Sequence, residues 1–366
     1  MKIARLPTNI PDSVTEKTDS TPKAPGKVVE ETAKEPVQLQ RSPLPKTDTV
    51  EIKEGSSYLD KIATAPKLDP SQTNLAKANE VPAALIPGVP FREKVELPFF
   101  NYFLKDKGTP KLPEAFVFET GANRWRAFDT WPPRETVPTN LFCTAEGRLA
   151  FSPAVEPASA SDEFVSDPAK PVPFADDIAI GMTREYMTDD QRFASRRPDV
   201  LAYQTEPLEQ DLTLVGPIQA ELWLSTSGTD ADWIVKIIDV FPGSAKDPDP
   251  NPRRVRMGGY QMMVRSEVMR GRFRNSYERP EPFEPNKPSK VRFELQDLLH
   301  TFQRGHRVMV QIQSTWFPLV DRNPQKFVPN IYRAEGDDFI KATHRVFRST
   351  QFPTRLEVGV LKGAGQ

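Results

Sequence analysis

Apolar residues recur at every second position along short segments through the second half of the chain. In 218–225 (IQAELWLS), Ile218, Ala220, Leu222 and Leu224 fall on one side of an extended backbone and polar residues mostly on the other. The segment 233–241 (WIVKIIDVF) is apolar on both faces, as a central strand requires. Comparable runs are 212–215, 260–268, 290–295, 307–314, 344–349 and 355–360. That makes about eight short strands, at the spacing of a two-sheet sandwich or jelly roll.

Upstream the period changes. In 91–108 (FREKVELPFFNYFLKDKG), Val95, Phe99 and Phe103 stand at helical spacing, which predicts one amphipathic helix interrupted near Pro98 and capped by Gly108. The segments 114–120 (EAFVFET) and 124–133 (RWRAFDTWPP) flank the turn TGAN and predict two strands. A stretch rich in Pro, Ala, Ser and Asp from Ser152 to about Ala179 predicts an exposed loop.

Composition sharpens the organisation. The chain has 366 residues, with 38 prolines against 18 glycines, which disfavours long helices and suits strands joined by rigid turns. Residues 1–90 hold a single aromatic, Tyr58, too little apolar bulk to offset the entropy of ordering the backbone. They are expected to form a disordered, Pro-rich leader with at most a short helix near 57–65. The expected domain division is 1–90 for the leader, 91–150 for the helix and first strands, and 180–366 for the β-domain.

Lys plus Arg (49) nearly balances Asp plus Glu (50), which gives no electrostatic reason to expect nucleic acid or an anionic membrane as a partner. Residues 1–14 lack the apolar core of a secretion signal, and no run of eighteen apolar residues occurs, so a cytoplasmic location is expected. A single cysteine, Cys143, makes no intrachain disulfide and no metal cluster. No cofactor is expected.

Candidate chemistry is sparse. His300 and His306 are six apart, which fits neither zinc ligands on one helix face nor the H-E-x-x-H pattern, so no metal site is expected. His306 follows Gly305 and precedes a strand, where it would bond a turn. His344 has no adjacent nucleophile motif. The acidic run 245–253 (AKDPDPNPR) lacks the glycine and terminal glutamate of a calcium loop and reads as a solvated loop. The hydrolase elbow G-x-S-x-G is approached only at Gly55–Ser57 in EGSSYLD, where Leu59 stands in place of the second glycine. Ser57 is thus the sole candidate nucleophile, with no base placed to activate it.

Five stretches, FETGANRWRAFDTWPP, DDQRFASRRPDVLAYQTEPLEQDLTLVGPI, FRNSYERPEPFEPNKP, HTFQRGHRVMVQIQSTWFPLVDRNPQ and KATHRVFRS, closely resemble, in order over about 91–366, the C-terminal half of α-amino-acid ester hydrolases. These serine hydrolases are related to cocaine esterase, glutaryl acylases and X-Pro dipeptidyl peptidases. The resemblance implies a mainly β fold: a jelly-roll (galactose-binding-like) β-sandwich after a short helical remnant of an α/β-hydrolase domain. It also implies that the part matched begins after the family's catalytic histidine, so that no catalytic residue is carried over. His300 and His306 match jelly-roll positions. In the family the jelly roll buttresses the hydrolase domain and helps to close the acyl pocket, which makes Trp316, Phe317, Asp321, Arg322 and Asn323 the candidates for a pocket wall or docking surface. Three functions follow: a non-catalytic jelly-roll module, one half of a split serine hydrolase whose triad comes from another chain, or a free-standing binding jelly roll. The partner would be an α/β-hydrolase chain or a second copy of this chain.

Overall fold

A computed structural model describes residues 92–109, 112–153, 155–178, 185–252 and 254–362. The expected leader, the short helix expected near 57–65 and Ser57 lie outside the described residues.

The first described element is a single π-helical turn, Arg92–Glu96, that runs into helix α1, Leu97–Lys105. Pro98 sits in the first turn of α1, where its missing N–H costs nothing, so it starts the helix rather than breaking one. Asp106, in the left-handed conformation, ends it two residues before Gly108. No residue of α1 is buried, although the sequence LPFFNYFLK is mostly apolar.

Strands β1 (Ala115–Glu119) and β2 (Arg124–Phe128) form a separate antiparallel hairpin around the turn TGAN. The other eleven strands form one continuous hydrogen-bonded system. They are β3 (Thr136–Thr144), β4 (Arg148–Ala150), β5 (Ser161–Ser166), β6 (Val200–Gln204), β7 (Leu212–Thr226), β8 (Asp232–Val240), β9 (Gln261–Arg270), β10 (Ser289–Phe302), β11 (Arg307–Gln313), β12 (Ala342–Phe347) and β13 (Arg355–Leu361). Their order is β5-β12-β7-β13-β3-β4-β6-β11-β8-β9, with β10 on the free side of β7. The single pairing of Arg148 with Gln204, between β4 and β6, links the two faces of the sandwich.

The core lies between these faces. Leu214, Ile218, Ala220, Leu222 and Leu224 of β7, with Val291, Phe293 and Leu295 of β10, meet Trp233, Val235 and Ile237 of β8 and Val308, Val310 and Ile312 of β11. All these side chains are buried, so alternation in the sequence has become the inward face of each strand. Cys143 is buried in the same cluster, where burial pushes its thiol up and leaves it a small apolar residue.

Three local expectations change. Segments 212–215 and 218–225 are one 15-residue strand, carried through Gly216 at φ 82 and Pro217. A Cβ at Gly216 would lie 2.7 Å from the Pro132 ring, so this position also needs glycine for space. The strand expected at 290–295 continues to Phe302 after a bulge, which places His300 inside β10. The stretch 152–179 is not an exposed loop throughout. It contains β5, with Phe164 buried, and then Val172, Phe174 and Ala175 packed away from solvent. Its backbone finds remote partners: Phe174 N–H donates to the Phe317 carbonyl, Phe317 N–H to the Val172 carbonyl, and Val172 N–H to the Thr315 hydroxyl. Local sequence could not show those partners.

Candidate functional site

The outer face of β8 carries Ile234 and Lys236, and a second small core covers it: Phe174, Ala175 and Trp316, with Tyr186, Met263, Val268, Leu319 and Val320 alongside. Lys236 is fully buried. Its amine donates to Gln191 Oε1 at 2.9 Å and lies 4.6 Å from the centre of the Trp316 ring. Burial with no carboxylate partner lowers its pKa to about 7. The indole face supplies part of what an anion would otherwise give.

A cleft of about 490 Å³ opens beside this small core, along edge strand β9. Met262 to Val268 line it in unbroken succession, which happens only where a cavity looks onto the edge of a strand and both its faces. Tyr186, Trp316, Leu319 and Val320 form an apolar side; Thr120, Gln296 and His300 form a polar one.

Below the polar side lies a network joining two of the three histidines. Asp239, buried at the end of β8, accepts from His306 Nδ1 at 2.8 Å, and its second oxygen faces His300 Nε2 at 3.4 Å. The other ring nitrogen of His300 is 2.8 Å from the Thr120 hydroxyl. Burial works against a charged Asp239, but the hydrogen bonds and positive potential of His300 and His306 hold its carboxyl below the usual range. A carboxylate only accepts, so the His300 nitrogen that faces it carries the proton, and Nδ1 is left to accept from Thr120.

The hairpin tip is fixed around this network. Thr120 N–H donates to the Leu299 carbonyl and Thr301 N–H to the Thr120 carbonyl. Glu119, fully buried, bonds the Thr301 hydroxyl at 2.6 Å and pairs with Arg124 and Arg126. Those partners outweigh burial and keep its carboxyl below the ordinary range. Gly121, at φ 80, lets the tip come this close: a Cβ there would sit 2.0 Å from the Thr301 carbonyl oxygen and 3.2 Å from His300 Cε1.

His344 belongs to a different cluster. Its Nε2 donates to Gln325 Oε1 at 2.7 Å, while the Gln325 amide donates to the Ser166 and Ile340 carbonyls. Burial drops the His344 pKa to about 3, so the ring is neutral. Asn323 next to it donates to Asp232 at 2.8 Å and accepts from Gln325 N–H. Burial raises Asp232 to about 6 against the pull of Arg270 and Asn323.

The five residues expected to form a wall or docking surface divide. Trp316 lines the β9 cleft from a buried position, and Asn323 is buried in the His344 cluster. Phe317, Asp321 and Arg322 are exposed, with the Arg322 guanidinium 5.7 Å from the Phe317 ring and 5.1 Å from the Phe339 ring. The structure therefore brings Phe317 and Arg322 together at the surface and sets Asn323 apart beneath it. Sequence reasoning missed Asp239 and Lys236. Their signal was two charges inside WIVKIIDVF, a strand apolar on both faces, where each charge needs a buried partner. Among the described residues no cluster of His, Cys, Asp and Glu could hold a metal ion, and no helix is long and apolar enough to cross a membrane.

Comparison with known proteins agrees with this architecture. The family described as X-Pro dipeptidyl-peptidase C-terminal non-catalytic domain matches residues 97–357. Among solved structures, an aminopeptidase from a marine sediment Thaumarchaeota archaeon is 44% identical with a TM-score of 0.69, covering 75% of this chain and 45% of its own. An α-amino acid ester hydrolase is 41% identical, also with a TM-score of 0.69, covering 74% of this chain and 45% of its own. The cocaine esterase of Rhodococcus sp. (strain MB1 Bresler) is 27% identical over 258 residues, 69% of this chain and 42% of that protein. The chain thus spans less than half the length of each of these relatives. With that family match over most of its length, the chain belongs to the X-Pro dipeptidyl-peptidase C-terminal non-catalytic domain family.

Proposed function

We propose that this chain is the non-catalytic β-sandwich half of a serine hydrolase acting on amino-acid esters or peptides, and that an α/β-hydrolase domain beyond the described residues supplies the serine triad. The observation that carries this reading is α1. It exposes Leu97, Phe100, Tyr102, Phe103 and Leu104 together, with Phe103 at 60% and Leu104 at 72%. An apolar surface of that kind marks an interaction site. Its rings are already ordered against one another, Phe99 with Phe103 at 4.6 Å and Tyr102 with Phe103 at 4.9 Å between centroids.

The histidine partners support the same reading. Among the described residues the histidines bond Thr120, Asp239 and Gln325, and none bonds a serine. The exposed large aromatic rings sit on α1 and in loops, not in a row along a strand. That distribution favours a docking module over a free-standing carbohydrate binder.

The test is to mix the full chain with a separately expressed hydrolase domain of the ester hydrolase relative. The expected result is a stable complex and repeated turnover of an amino-acid methyl ester by the mixture, weakened when Phe100, Phe103 and Leu104 are changed to serine. Failure to form a complex, or sustained turnover by the chain alone, overturns the reading.

A further inference from the structure

The β9 cleft has a reactive arrangement on its polar side that the docking role does not use. We propose that Thr120, His300 and Asp239 form a hydroxyl–imidazole–carboxylate relay in which Thr120 takes an acyl group from an activated ester seated in the cleft. The inference is independent of the proposed hydrolase partner.

Three features carry it. The Thr120 hydroxyl lies 2.8 Å from His300 Nδ1, the distance at which an imidazole removes a proton from a nucleophile. Behind the imidazole, Asp239 faces Nε2 and is itself held by His306 at 2.8 Å, so the ring is oriented by a fixed carboxylate. The 3.4 Å contact between His300 and Asp239 is longer than a formed hydrogen bond, as is common before a substrate is bound. The third feature is access. Thr120 is exposed on the cleft, while His300 is only 1% exposed and meets the cleft beside the hydroxyl. Backbone hydrogen bonds on both sides of Thr120 fix the hydroxyl in place.

The step balances without a further reactant. Thr120 Oγ bonds to the carbonyl carbon of the ester, its proton passes to His300 Nδ1, and the bond from that carbon to the leaving oxygen breaks. The leaving group takes that proton back from the imidazolium and departs as an alcohol, or it departs as a phenolate and the imidazolium loses the proton to solvent at the cleft. Arg265 lines the same cleft, its guanidinium donating to the Asp297 and Val264 carbonyls. The apolar side, with Met263, Leu319, Val320 and Trp316, suits a short aliphatic or aromatic acyl group. Once acylated, Thr120 carries its acyl group between His300 and the cleft, where an attacking water would have to stand, so hydrolysis of the acyl group is slow and the reaction is limited to one turn.

The experiment uses the full chain and p-nitrophenyl acetate. The expected result is a burst of about one equivalent of p-nitrophenolate per chain without sustained turnover. Peptide mass spectrometry should place the acetyl group on Thr120. Thr120→Val, nearly the same shape, should lose the burst and Thr120→Ser should keep it, while His300→Asn should slow it by about a hundredfold or more. An adduct on any other residue, Ser57 included, overturns the proposal, as does an undiminished burst in Thr120→Val. Adduct mapping on the unaltered chain decides the matter even where a variant fails to fold.

Discussion

His344 and His300 are both almost completely shielded from solvent, yet one faces an amide and the other a carboxylate. The Gln325 amide oxygen accepts from Nε2 but brings no charge to balance an imidazolium, and burial pushes the His344 pKa down to about 3. Asp239 accepts from one histidine and faces a second, and remains charged because they are there. The difference teaches that burial alone does not decide what a histidine does. The charge of the group its Nε2 faces matters, together with what stands on its other side: Phe164 and Trp233 pack against His344, whereas His300 reaches a hydroxyl at a cleft.

The strongest way to break this contrast is to remove the shared carboxylate. Asp239→Ala leaves two imidazoles without their common acceptor and should cost about 3–5 kcal/mol in urea unfolding, as breaking a buried charged pair does. Gln325→Ala, which strands only neutral groups, should cost less, about 1–3 kcal/mol.

Acid sharpens the contrast further. The unfolded chain protonates His344 near pH 6.5 and the folded chain only near 3, so the unfolded state binds more protons across that window. Stability therefore falls as pH drops from 6.5 towards 3, and His344 accounts for about 3 kcal/mol of that loss by pH 4. Asp232, raised to about 6, opposes it between pH 3.8 and 6. His344→Gln should flatten the loss between pH 6.5 and 4 in thermal melts, and an unchanged slope would mean that the ring is not buried neutral. The smallest effect is expected at α1, where Phe103→Ser should change unfolding stability by no more than about 0.5 kcal/mol, because nothing in the sandwich rests on that ring.

Much of the sandwich was legible before any coordinates. Ile218, Ala220, Leu222 and Leu224 alternate with polar neighbours, and a strand with one buried face permits only one register. The hairpin at TGAN was legible for the same kind of local reason. What failed was everything set by partners far away in the chain. The burial of Phe164 and Phe174 depends on β12, β8 and the 316–320 loop, none of which a window around Ser152–Ala179 contains. The candidate site failed similarly. His300 and His306 were noticed as a pair, but Thr120 lies 180 residues from His300 and Asp239 lies 67 from His306, and neither stands in a recognisable catalytic motif. The polar network follows from the fold, so it could be seen only after the strands were placed.

Strand β13 sits between β7 and β3, hydrogen-bonded to both. Its ladder with β3 joins Arg355 to Phe142 and Leu361 to Thr136, and so closes a loop of more than two hundred residues. On the ribosome, the edges of β3 and β7 that β13 will cover stay open until the final strand emerges, many seconds after β3 at ordinary rates of synthesis. The nascent chain must therefore be guarded from edge-to-edge association from the emergence of β3 to that of β13, and truncation before Arg355 would leave two sticky edges in place of a closed sheet.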